Sequence, residues 1–159
     1  MSALSWQDWN IAAAEAVIEP HLSRPGALLC ALQDLQAAFG YVDDEAVPLL
    51  ADRFNLSRAE VFGVLAFYHD LRRKPPARHV LKLCQAEACQ AMGARDLTDH
   101  VKTKLGVGLH DTGLAGQLTL EPVYCLGNCA LAPAAMFDGA VHGRLNEARL
   151  DRLIEKARS

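Results

Sequence analysis

Apolar positions recur at two different periods along this chain, and the change falls near residue 75. Leu28, Leu32, Leu35 and Phe39 lie at helical spacing, and Gly40 follows them as a stop signal. Ser23 and Pro25 are the expected start of that helix. Val47, Leu50 and Phe54 form another stripe, opened by Asp43 or Asp44, with Pro48 uncomfortably close to its start. Ser57 and Glu60 have the spacing of a reciprocal capping box ahead of Val61, Val64, Leu65 and Tyr68. An earlier helix is expected from Ser5 and Asp8 to about Ile18, with Pro20 just past its end and Trp6 and Trp9 as a stripe upon it. These helices are short, so their apolar stripes must pack on one another or on something else.

The segment HDLRRKPPARH breaks the pattern, and its paired Pro75 and Pro76 favour an extended connection. Arg72, Arg73 and Lys74 read as a solvated charge run. The expected organisation is a helical segment over 1–74, a linker over 75–79 and a second domain over 80–159. In that domain Val80, Leu81 and Leu83 lead as a strand into Cys84, and a helix is expected from about Ala86 to Leu105. Leu118, Leu120 and Val123 alternate as a strand into Cys125. Residues 134–137 and 140–144 form a hairpin about Asp138-Gly139, and Asn146 caps a last helix carrying Leu150, Leu153 and Ile154. The order β-α-β-β-β-α implies a small α/β (α+β) domain, a sheet with helices packed on it.

Composition narrows the function. Sixteen Lys and Arg against nineteen Asp and Glu leave a net charge of −3, which gives no footprint for nucleic acid or an anionic membrane. No apolar run approaches the roughly 20 residues that span a bilayer. The opening MSALSWQDWN lacks the pattern of a signal peptide, so a cytoplasmic location is expected. There, clustered cysteines more often mean metal or catalysis than disulfides. The five cysteines are also an odd number.

Four of them fall into two pairs, Cys84-QAEA-Cys89 and Cys125-LGN-Cys129, separated by residues 90–124. Each pair begins where a strand ends, so two loops at one sheet edge can face each other. Cys89 falls in the first turn of a helix, and Gly127-Asn128 lets the second loop curl. Residues 130–135, ALAPAA, make a small apolar surround. Four sulfurs fit a structural zinc ion or a [2Fe–2S] cluster, and the spacing leaves both open. A redox dithiol would use C-x-x-C, which is missing, and a Rieske centre would place histidines within the pairs. Cys30 reads as a packing residue of its helix. His79 and His142 read as surface or satisfied histidines. No catalytic triad or nucleotide-binding loop is visible, and Gly106-Val107-Gly108 is too little for a dinucleotide fingerprint.

The stretches LCQAEACQAMGA and VYCLGNCALAPAAMF resemble the thioredoxin-like [2Fe–2S] ferredoxin family, and within it the small [2Fe–2S] subunit of the NADH-dehydrogenase module of respiratory complex I. The upstream segment from ALLCALQDL to LRRKP resembles that family's helical segment, so the likeness runs from about residue 10 to 157. It implies an N-terminal helical bundle followed by a thioredoxin-like domain. It also implies that Cys84, Cys89, Cys125 and Cys129 hold a [2Fe–2S] cluster that passes single electrons. The implied partner is a flavoprotein subunit bearing FMN and an NAD(H) site. By its compact length the chain most resembles the gamma subunit of NAD-dependent molybdenum formate dehydrogenase, whose molybdenum-containing catalytic subunit would be a further partner. Complex I and NAD-coupled hydrogenases use the same module. Pro48 and Gly26 depart from commoner family members. The rival of another class is a zinc-stabilised interaction module without a redox role.

Overall fold

The computed structural model describes residues 6–158, which divide into two compact units between Pro75 and Pro76. The first unit is helical: α1 (Ile11–Ile18), α2 (Leu28–Phe39), α3 (Ala46–Phe54) and α4 (Arg58–Phe67). The expected cap Ser5 lies outside the described residues. The cap in place is Asn10, whose side chain accepts the Ala13 N–H. Trp6 and Trp9 therefore precede the helix. Trp9 meets Phe39 edge-on at 5.0 Å and donates its indole N–H to Glu45.

The second helix also starts later than expected, at Leu28 after an uncapped Ala27. Gly26 takes a left-handed φ of +69°, which no α-helix accommodates, so Ser23 and Pro25 are left in the preceding turn. Pro48 is the third residue of α3, where a backbone N–H has no helical partner to lose. Asp43 accepts the Glu45 N–H just before that helix. Ser57 and Glu60 form both halves of the capping box. Ile18, Leu32, Leu35, Val42, Leu50 and Val61 are fully buried between these helices.

The second unit holds β1 (His79–Cys84), α5 (Glu87–Ala91), α6 (Ala94–Leu105), β2 (Thr112–Gly113), β3 (Leu118–Val123), β4 (Ala135–Phe137), β5 (Ala140–His142) and α7 (Glu147–Lys156). The strand order is β2-β3-β1-β4-β5. Strands β1 and β3 run parallel, from His79 opposite Leu118 to Cys84 opposite Val123, while the other pairings are antiparallel. The strand starts at His79, so the expected linker over 75–79 ends one residue earlier. His79 is held there by Asp138, with 2.6 Å between Nδ1 and Oδ2.

The helix expected over 86–105 is two helices. Gly93, at φ +86°, breaks it, because a left-handed residue cannot continue the i to i−4 ladder. The short β2 has no counterpart in the expected order. Asp138 and Gly139 both have positive φ, as a two-residue hairpin with right-handed strand twist requires. Leu81, Val101, Leu118, Leu120, Leu150 and Ile154 form the core between sheet and helices. No helix among the described residues is long and apolar enough to cross a membrane.

Candidate metal centre

The two middle strands deliver the cysteines. Cys84 closes β1 directly opposite Val123, and Cys125 follows two residues later on the neighbouring chain segment. Hydrogen bonds from Gln85 N–H to Val123 O (2.8 Å) and from Cys84 N–H to Ala134 O (3.1 Å) fix the strand end between its neighbours. Cys89 is the third residue of α5. Cys84 and Cys89 are each 3% exposed and pack with Ala94 and Ala134, with Ala86, Val123, Leu126 and Ala132 around them.

The second pair is exposed. Cys125 has φ +103°, an unfavourable backbone for a residue with a Cβ, of the kind that clusters at functional sites. Its sulfur accepts the Gly127 N–H at 3.3 Å and lies 3.9 Å from the sulfur of Cys129. With metal–sulfur bonds of about 2.3 Å, two corners of a tetrahedron lie roughly 3.8 Å apart. Cys125 and Cys129 are therefore spaced to share one metal atom.

Electrostatics tie the pairs together. Burial, then a hydrogen bond with Cys84, pushes the Cys89 thiol up, while the Ala134 N–H pulls it down. The Cys129 thiol is pushed up by its hydrogen bond with Cys125, then by the charge of Cys125, burial and the charge of Cys84. Leu126, inside the second loop, packs against the buried cluster of residues that holds Cys84 and Cys89, so the two loops lie against each other. Among the described residues, no three His, Cys, Asp or Glu side chains gather tightly enough to hold a single ion. Two pairs of cysteines on facing loops are a donor set that suits a group of two irons taking two cysteines each.

A third segment braces the exposed loop, and sequence reasoning missed it. Arg144 N–H donates to Leu131 O at 2.6 Å, and Leu145 N–H to Pro133 O at 3.0 Å. A Cβ on Gly143 would lie 2.6 Å from Leu131 Cβ, 2.7 Å from Asn128 Nδ2 and 2.8 Å from Leu131 O. Arg149 of α7 fastens this segment in turn, donating to Gly143 O at 3.1 Å and Arg144 O at 2.8 Å. The only sequence signal was a glycine between a strand and a capping Asn146. Cys30 belongs to α2 of the other unit, and His79 is engaged with Asp138.

The model of the thioredoxin-like [2Fe–2S] ferredoxin family matches residues 14–158. This chain belongs to that family. The family's cofactor is a [2Fe–2S] cluster, and the paired cysteines fit it. Among its relatives, a subunit of the NADH-quinone oxidoreductase of Pseudomonas aeruginosa is 35% identical over 125 residues, 79% of this chain and 75% of the relative. A subunit of the NADP-reducing hydrogenase of Solidesulfovibrio fructosivorans is 28% identical over 137 residues, 86% of this chain and 80% of that one. A crystal structure of an NAD⁺-reducing [NiFe]-hydrogenase superimposes with a TM-score of 0.68 at 28% identity. It matches 83% of this chain, which spans 23% of the hydrogenase chain. The family match agrees with the expected α/β architecture, helices followed by a thioredoxin-like domain.

Proposed function

We propose that this chain is the electron-transfer subunit of a multi-subunit NAD-linked oxidoreductase, with its [2Fe–2S] cluster held by Cys84, Cys89, Cys125 and Cys129. The observation that carries this reading is the strand register that puts both cysteine loops beyond the same ends of β1 and β3, with Leu126 of the second loop packed against Cys84 and Cys89. When bound, the cluster takes up and returns one electron at a time, which suits a flavin neighbour that exchanges two electrons as hydride and one at a time otherwise. The chain's residues divide the remaining work. Buried Cys84 and Cys89 anchor on the sheet side, where Ala94 and Ala134 keep out water. Exposed Cys125 and Cys129 face outward, the side from which a partner can approach. The NAD(H) and FMN sites belong, in this reading, to a flavoprotein subunit. The helices of 1–74 serve as a docking element, joined through the proline pair, and the complex works in the cytoplasm.

The finer reading is a molybdenum-containing, NAD-dependent formate dehydrogenase with this chain as its gamma subunit. The cysteine motifs and helical segment support the shared module, and the formate assignment within it rests on the chain's resemblance to that gamma subunit. The relatives favour complex I or an NAD-coupled hydrogenase as the second reading. Purifying the native complex decides between them. Molybdenum together with formate-dependent NAD reduction is expected; nickel with hydrogen oxidation, or quinone reduction by NADH, would overturn the formate assignment. A colourless isolated chain with one zinc and no acid-labile sulfide would sink the cluster reading itself.

A further inference from the structure

Gln85 follows Cys84 directly and is held at three points. Its N–H donates to Val123 O at 2.8 Å. Its side-chain amide donates to Thr98 Oγ1 at 3.0 Å, and the hydroxyl of buried Thr98 donates in turn to Ala94 O at 2.7 Å. Its backbone carbonyl accepts the side-chain amide of Gln90 at 2.6 Å. Gln90 follows Cys89 directly, so one glutamine side chain closes the loop that the first two cysteines bound.

Gln90 is itself held by Arg95, the second residue of α6. Arg95 Nε and Nη2 both donate to Gln90 Oε1, at 3.0 and 2.7 Å. Arg95 has no ion pair among the described residues, so its charge bears on a neutral amide. A cation at the amide oxygen draws electron density towards it and makes the N–H of the same amide a stronger donor. That N–H is the one bonded to Gln85 O. The 85–86 peptide is planar and trans, so its C=O and N–H point in opposite directions. Pinning Gln85 O therefore also fixes the Ala86 N–H, which faces away from Gln90. The Ala86 N–H has no hydrogen-bond partner among the described residues.

We infer that Gln90 and Arg95 are positioning residues for the [2Fe–2S] cluster, holding the 85–86 peptide so that the Ala86 N–H serves its sulfurs and favours its reduced, more negative state. This rests on the proposed assignment of the four cysteines. Hydrogen bonds to the sulfurs of a cluster are among the factors that set its reduction potential. A donor there stabilises the added electron. A peptide free to turn would offer its carbonyl oxygen instead, which repels that charge. Arg95 strengthens the effect through Gln90.

Redox titration of the full chain with its cluster in place, with iron and acid-labile sulfide counted for every variant, tests the relay. Gln90→Met keeps a side chain of similar length and removes the amide. It should lower the midpoint potential while iron and sulfide stay at the parent's level. Arg95→Gln should lower the potential by less, and Arg95→Lys should restore most of the difference. Arg58→Gln, at the start of α4 in the helical unit, should leave it unchanged. If Gln90→Met fails to hold iron, the pair Arg95→Gln and Arg95→Lys decides, because Arg95 is exposed and its loss leaves the core intact. A parent-like potential in Gln90→Met or Arg95→Gln, with iron and sulfide intact, overturns the inference. So does an equal fall in Arg58→Gln, or a fall in Arg95→Lys as large as in Arg95→Gln. A parent chain without iron and sulfide would overturn the cluster reading, and the inference with it.

Discussion

The two cysteine loops of the proposed cluster site are built by different means. Cys84 and Cys89 are buried, one ending a strand that is paired on both sides and the other inside a helical turn. Cys125 and Cys129 are exposed, in a loop with φ +103° at the first of them. Regular secondary structure sets the first pair. The second takes its shape from the 143–145 segment pressed against it. Where a ligand pair is built from ladder and helix bonds, changes elsewhere in the fold reach it last. Where it is built from loop contacts, one methyl group in the wrong place suffices.

Removing the proposed ligands gives the largest effect and separates the loops. Cys84→Ala and Cys125→Ala should both lose the visible absorption and the iron. Unfolding of the cluster-free chains then tells them apart. Cys84→Ala should lower stability by about 1 kcal/mol, for the loss of one well-packed buried atom. Cys125→Ala should leave it nearly unchanged. Equal loss in both would contradict the contrast between the loops.

Gly143→Ala comes next. Its methyl would meet backbone as well as side chain at under 3 Å, so the 128–131 segment has to move. We expect a destabilisation of about 1–3 kcal/mol from overpacking, with a changed electron-resonance spectrum of the reduced protein. An unaltered spectrum would show that the brace does not shape the second pair.

A smaller, pH-dependent effect concerns the helix that follows the first pair. Lys104, then His100, hold the Asp151 carboxyl below its ordinary 3.8. A lowered folded value means that the ionised carboxylate stabilises the fold above the ordinary value, and that this is lost as pH falls through the lowered one. Asp151→Asn should therefore be less stable than the parent at neutral pH, with the gap closing below pH 3.8. Thermal melts across that range check it. The smallest effect is expected from Cys30→Ala, which should leave the cluster spectrum intact. Bleaching there would overturn the four-plus-one division of the cysteines.

Much of this could be read from the chain because the signals were local. Ser57 with Glu60, Asn146, Gly40 and the Asp138-Gly139 turn each act within four residues and stand where expected. Spacing likewise picked out the cysteine pairs. The failures have physical causes of two kinds. Gly26 and Gly93 adopt left-handed backbone inside otherwise helical sequence, and a glycine letter does not reveal its φ. Gly143 matters because of Leu131, twelve residues earlier, and a close approach between distant segments leaves no periodic trace. Pro48 erred the other way, appearing disruptive when the helix merely begins at Ala46.

The parallel register of β1 and β3 has a bearing on how the protein is made. Cys84 lies opposite Val123 only when His79 has found Leu118, thirty-nine positions along the chain. A slip of one residue would turn alternate side chains to the opposite face, parting the two halves of the site. Such distant pairing is slow to form, because a long loop must close before any contact rewards it. A chain still being synthesised offers Cys84 and Cys89 long before Cys125 and Cys129 exist. If the four cysteines hold the cluster as proposed, its insertion belongs at the end of folding, and a chain in the wrong register would remain without it.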